Sequence, residues 1–111
     1  MEIEIEGTDA IKATEELLAI EGLKGSYQTI DEVERAEPIL TTIATIVGIV
    51  GGIVTIAKEI YEWYQKYPHS PSLNKNTGEL KVLFIGSKGE RLLLTRYVTE
   101  EQIRKILENE V

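Results

Sequence analysis

Charge and isoleucine alternate from Glu2 to Glu6, placing Ile3 and Ile5 on one face and three carboxylates on the other. A period of two marks a strand with one wet side. Gly7, Thr8 and Asp9 turn the chain, and Thr8 or Asp9 is suited to cap a helix from Ala10 to about Glu21, with Ala10, Ala13/Thr14, Leu17/Leu18 and Ile20 or Glu21 marking its apolar stripe. "EGLKGS" ends that helix, with Gly22 or Gly25 available for a left-handed conformation. "YQTIDEV" reads as a second strand, and strand, helix, strand at this spacing predicts a parallel crossover pair.

After the polar break "ERAEP", Pro38 occupies a favourable first helical position. From Ile39 to Ala57 there is no charge. This segment predicts one long helix to about Lys66, or two helices broken at Gly48, Gly51 and Gly52, since each helical glycine costs about 1 kcal/mol relative to alanine. Its second half is amphipathic, with Ile53, Ile56, Ile60, Trp63, Tyr64 and Tyr67 at i, i+3, i+4 spacing, which favours core packing of its aromatics against the hairpin. "PHSPSLNKNTG" has the composition of a loop. "ELKVLFIGS" and "ERLLLTRYV", separated by "KG", read as a hairpin, apolar on both faces and so expected to be central or covered on more than one side. In the closing "TEEQIRKILENE", Thr99 and Gln102 match a capping box, and Ile103, Ile106 and Leu107 form one stripe. The whole chain, residues 1–111, is expected to form one α+β domain. Its small mixed four-stranded sheet, in the order β-α-β-α-β-β-α, would pack on a long central helix bent at its glycines.

Hydropathy alone would make Ile39–Ala57 a membrane span, being near the roughly 20 apolar residues that a bilayer requires. Tyr61, Trp63, Tyr64 and Tyr67 could form an interfacial belt, and Gly48-x-x-x-Gly52 has the spacing of packed membrane helices. Against this stand the threonines at 41, 42, 45 and 55 and the acidic flank "DEVERAE". A span would also leave a small strand unit on each side of the membrane, neither able to bury its apolar face. The favoured reading is a largely buried helix with one apolar face left for another chain. The contact residues would be Gly48, Ile49, Gly51, Gly52, Ile53 and Trp63. Insertion of residues 39–57 into a bilayer is the alternative.

The net charge of −7 argues against nucleic acid as a partner, because phosphate neutralisation needs basic surface. Cysteine is absent, which removes thiol chemistry and suits a cytoplasmic setting. "MEIEIEGTD" has no basic stretch followed by an apolar one and so does not read as a secretory leader. His69, the one histidine, lies in the loop without further ligands at helical or hairpin spacing. "IGSKGER" lacks the spacing of a phosphate-binding loop. Glu2, Glu4 and Glu6, and Asp31, Glu32, Glu34 and Glu37, read as solvated charge. No catalytic, cofactor or metal site is expected; a ligand site around His69 and Asn74–Asn76 is a distant competitor.

The order of elements, the Gly-interrupted "TIVGIVGGIVTIAKEIYEWYQKY" with its late tryptophan, and "GELKVLFIGSKGERLLLTRYVTEEQIRKILE" with its K-G-E-R turn resemble one known family. It is that of the bacterial effector-associated constant components, with Trp63, Gly51/Gly52 and Gly89 as the nearest single-residue matches. The resemblance implies an adaptor-like, non-enzymatic part of a conflict or immune-type signalling system, acting with separately encoded effector proteins. It brings no catalytic or ligand-binding residue.

Overall fold

Eight of the ten residues Thr41–Val50 are β-branched. Their stiff χ1 rotamers are crowded in a helix and comfortable on a pleated surface. In the structure, a computed structural model that describes residues 1–7, 9–30, 40–67, 80–95 and 97–110, this stretch is a strand as far as Ile49. The element order is β1 (Glu2–Gly7), α1 (Ala10–Leu18), β2 (Leu23–Ile30), β3 (Leu40–Ile49), α2 (Ile53–Gln65), β4 (Lys81–Ile85), β5 (Arg91–Leu93) and α3 (Glu100–Glu108).

The predicted long helix is therefore corrected. Its first half is β3, its second half is α2, and Val50–Gly52 turns the chain between them. The turn depends on Gly51, whose φ of +107° is costly for any residue with a Cβ. Alternation inside β3 sorts its side chains by face: Thr42, Ala44 and Ile46 are buried, while Thr45 and Val47 are exposed. Beyond the turn the period changes to that of a helix, and Ile56, Ala57, Ile60, Trp63 and Tyr64 are buried on one side of α2.

The sheet has five strands in the order β2-β3-β1-β4-β5, all pairs antiparallel, in place of the four-stranded mixed sheet expected. One added strand explains both differences. β3 lies between β1 and β2 and runs antiparallel to each, so the expected parallel pair never meets. β4 and β5 form the expected hairpin, with Gly89 at φ +92° in its turn, but not at the centre. β5 is an edge, and Leu93 is 57% exposed.

Register explains which face is buried. Ile3 pairs with Ala44 and Phe84, and Ile5 with Thr42 and Val82, giving two buried rows across the sheet, apolar but for Thr42. α1 lies over β1, β2 and β3, while α3 packs on α2 and beside β5. Side chains from all three helices join one hydrophobic cluster on that face. The central polar residues are satisfied: the hydroxyls of Thr14 and Thr42 meet at 2.5 Å, and Thr14 donates to the Ala10 carbonyl at 2.6 Å. Thr42, which argued against a bilayer, thus ties β3 to α1. α3 carries the expected capping box. The Gln102 amide donates to the Thr99 hydroxyl, and the Thr99 amide to the Gln102 side chain.

His69, Asn74–Asn76, Thr8, Pro38, Ile39 and the acidic residues 31–37 lie outside the described residues. Among the described residues, no helix is long and apolar enough to cross a membrane.

Candidate protein-interaction site

Five of the six expected contact residues are neighbours in space because they flank one turn. Gly48 and Ile49 end β3, Gly51 and Gly52 form the connection, and Ile53 begins α2. Gly51 and Gly52 are exposed, whereas Gly48, Ile49 and Ile53 are half-buried, with both isoleucines packed on the core. The turn is held from below by Gly22 (φ +100°), whose carbonyl accepts from the Val50 amide at 2.7 Å. A Cβ at Gly22 would sit 2.4 Å from the Val50 oxygen, so this glycine is required by backbone shape and by close approach.

Gly51 has another role. No atom lies within 4 Å of where its Cβ would be, so conformation and not crowding selects glycine there. Gly52 has φ −76°, ordinary for any residue, and caps α2 without a side-chain hydrogen bond. The three glycines do not form a small-residue stripe on a helix, because only the end of the run is helical.

Trp63 is the sixth expected residue, and the structure removes it from the surface. It is 3% exposed, and its indole Nε1–H donates to the Ala13 carbonyl at 2.9 Å, joining α2 to α1. Tyr64 donates to the Leu94 carbonyl at 3.1 Å, and the Tyr67 hydroxyl bonds the Glu16 carboxylate. Burial, followed by that carboxylate, pushes the Tyr67 phenol well above its ordinary pKa. The aromatic end of the segment is thus a set of struts within the protein.

The surface instead belongs to residues that sequence reasoning missed. Val47, Val50 and Val54 are 78%, 59% and 64% exposed. Val47 is the residue left unpaired where the register slips: Lys24 pairs with Gly48, but Gly25 pairs with Ile46. Val50 is in the turn and Val54 on the first turn of α2, facing away from the buried stripe. Counting the strand by twos would have placed Val47 opposite the buried Ile46 face.

Two other surfaces frame this one. The helix-free face of the sheet carries Glu2, Glu4 and Glu6 on its central strand, with Ile43, Leu83 and Leu93 beside them. A groove of about 440 Å³ between α1 and α2 is lined by Glu16, Glu21, Glu59, Glu62 and Lys66, among others. Among the described residues, no group of three or more acidic or histidine side chains is placed to hold a metal ion. Comparison with protein-family models, curated proteins and solved structures returns no match to this chain.

Proposed function

We propose that this chain is a non-enzymatic interaction component that engages another protein, an effector or a second copy, through the turn joining β3 to α2. The observation that carries the reading is the grouping of exposed Val47, Val50 and Val54 around Gly51 and Gly52. Single exposed apolar residues are ordinary, but three branched ones within eight residues of a braced turn are what a contact surface would use. The resemblance to effector-associated constant components extends the reading to an adaptor-like role in a bacterial conflict or immune-type system, with a separately encoded effector as partner.

The test is co-purification with proteins encoded beside this one, using the native chain and a Val50→Asp/Val54→Asp variant. The reading expects a defined complex that the variant loses while its circular dichroism is unchanged. Equal capture by both chains, or capture of neither a neighbour-encoded protein nor a second copy, would count against it.

The alternative, insertion of residues 39–57 into a bilayer, requires β3 to leave the sheet. β3 is paired on both edges and contributes Thr42, Ala44 and Ile46 to the core, so insertion would first dismantle the fold. Flotation with phosphatidylcholine vesicles, with and without partner, separates the two readings.

A further inference from the structure

The two faces of the sheet carry different chemistry. One holds the core beneath the helices, and the other takes the alternate residue of each strand. On that second face, register sets one row straight across all five strands: Gln28, Ile43, Glu4, Leu83 and Leu93. A single carboxylate on the central strand thus stands between Ile43 and Leu83, directly opposed neighbours whose Cβ atoms lie about 4.5–5.5 Å away. All three residues are half-buried, and the Glu4 carboxylate has no ion pair or hydrogen bond among the described residues. Glu2 and Glu6 extend the line of charge along β1 in steps of about 6.6–6.8 Å. Lys81 is opposite Glu6, and Arg91 is separated from Glu2 by Ile85, so neither cation stands in the Glu4 row. The face is open on every strand, since Gln28, Thr45, Glu2, Lys81 and Leu93 are exposed.

We infer that this face docks a basic amphipathic helix of another protein, with a Lys or Arg set on Glu4 and apolar side chains on Ile43, Leu83 and Leu93. Charge complementarity selects the occupant. A second copy laid face to face would bring two lines of carboxylate together, and the same line repels nucleic acid and anionic lipid. A carboxylate half-buried between aliphatic neighbours is partly desolvated, and a cation placed on it offsets that cost. The aliphatic neighbours in turn reward apolar groups on either side of the cation, which a simple polycation lacks. A helix suits the site because helices cover the faces of sheets, whereas strands add to their edges. Lys or Arg at i, i+4 and i+8 of a helix rises about 6 Å per step, close to the spacing of Glu2, Glu4 and Glu6. The surface is centred on Glu4, away from the valine turn, and the inference stands or falls separately from that reading.

The experiment titrates the full chain with a stapled helical peptide carrying Lys at i, i+4 and i+8 and Leu on both sides of that stripe, read by calorimetry and amide chemical shifts. Binding in the micromolar range is expected, with the shifts centred on Ile43, Glu4 and Leu83. Glu4→Lys should weaken it by at least about tenfold and take up instead the same peptide with Glu in place of Lys, which the native chain rejects. That exchange keeps the result readable if Glu4→Lys also lowers stability. Replacing the peptide's leucines by serine should cost at least about tenfold as well, because the row is mostly aliphatic. Glu62→Lys makes the same change of net charge in the groove between α1 and α2, and should leave the affinity nearly as it was. Absence of binding overturns the inference, as do shifts centred on the groove or the valine turn. Equal losses in Glu4→Lys and Glu62→Lys, or undiminished binding of the serine peptide, would also overturn it, reducing the contact to general charge attraction.

Discussion

β3 and α2 come from a single apolar run, yet one is a strand paired on both edges and the other a helix with one buried stripe. Hydropathy does not separate them; branching and period do. Thr41–Val50 is dominated by β-branched residues whose burial alternates, whereas Ile56, Ile60 and Trp63 recur at helical intervals. Gly51 marks where one period gives way to the other. The comparison teaches that an uncharged stretch is evidence of burial first, and of helix only when its branching and spacing agree.

The largest effect expected from disturbing this comparison is on the helical side. Trp63→Ala removes a buried ring and the indole bond that joins α2 to the Ala13 carbonyl of α1, at a cost of about 3–5 kcal/mol by urea unfolding. On the strand side, the sharpest contrast lies between adjacent residues. Ile46→Ala is expected to cost about 2–5 kcal/mol because Ile46 is in the core. Val47→Ala should stay within about 0.5 kcal/mol because Val47 faces solvent. Equal costs at these two positions would break the period-two account.

The junction gives a smaller contrast. Gly51→Ala forces a Cβ into a positive-φ backbone and is expected to destabilise by about 1–3 kcal/mol. The effect should appear in isolated protein, so a loss of binding at this position would not by itself report a partner. Gly52→Ser keeps an ordinary φ and supplies the missing cap of α2. A gain of about 0.3 kcal/mol is expected in thermal melts, the smallest effect of the series.

Acid should distinguish the halves as well. The Met1 amine donates to the Ile46 carbonyl at 3.4 Å and pairs with Glu110 at 3.3 Å. Glu110 also accepts from the Ser87 amide at 2.9 Å and from the Ser87 hydroxyl. Burial raises the pKa of this carboxyl, but the Ser87 bonds and the amine outweigh it and hold it below its ordinary value. With the folded pKa lower than the unfolded one, ionised Glu110 contributes stability above about pH 4.5, and this is lost as pH falls through the folded value. Hydrogen exchange below that pH is expected to loosen the Ile46 end of β3 before α2, and Glu110→Gln should remove the pH dependence.

Much of the fold was legible. Alternation at Glu2–Glu6, the "KG" hairpin and the Thr99/Gln102 box each rest on short-range chemistry, and all three are realised. Strand order was not legible, because the partners of β3 are set by rows such as Ile3–Ala44–Phe84 that join distant parts of the chain. The candidate site was half legible. Glycine pointed to the right turn, since a positive φ leaves a residue-type signature. The valines beside it were not singled out, because the run was read as helix; Trp63 was named as a contact, although the helical spacing of the aromatics already favoured the core position it occupies.

The most direct test of the strand-to-helix division is the set of backbone Cα and Cβ chemical shifts from Thr41 to Gln65 in solution. The structure predicts strand-like secondary shifts through Ile49, a break at Gly51–Gly52, and helical shifts from Ile53 to Gln65, with cross-strand contacts linking Ile43 to Glu4 and Gln28. Helical shifts running unbroken through Thr41–Ile49 would contradict it.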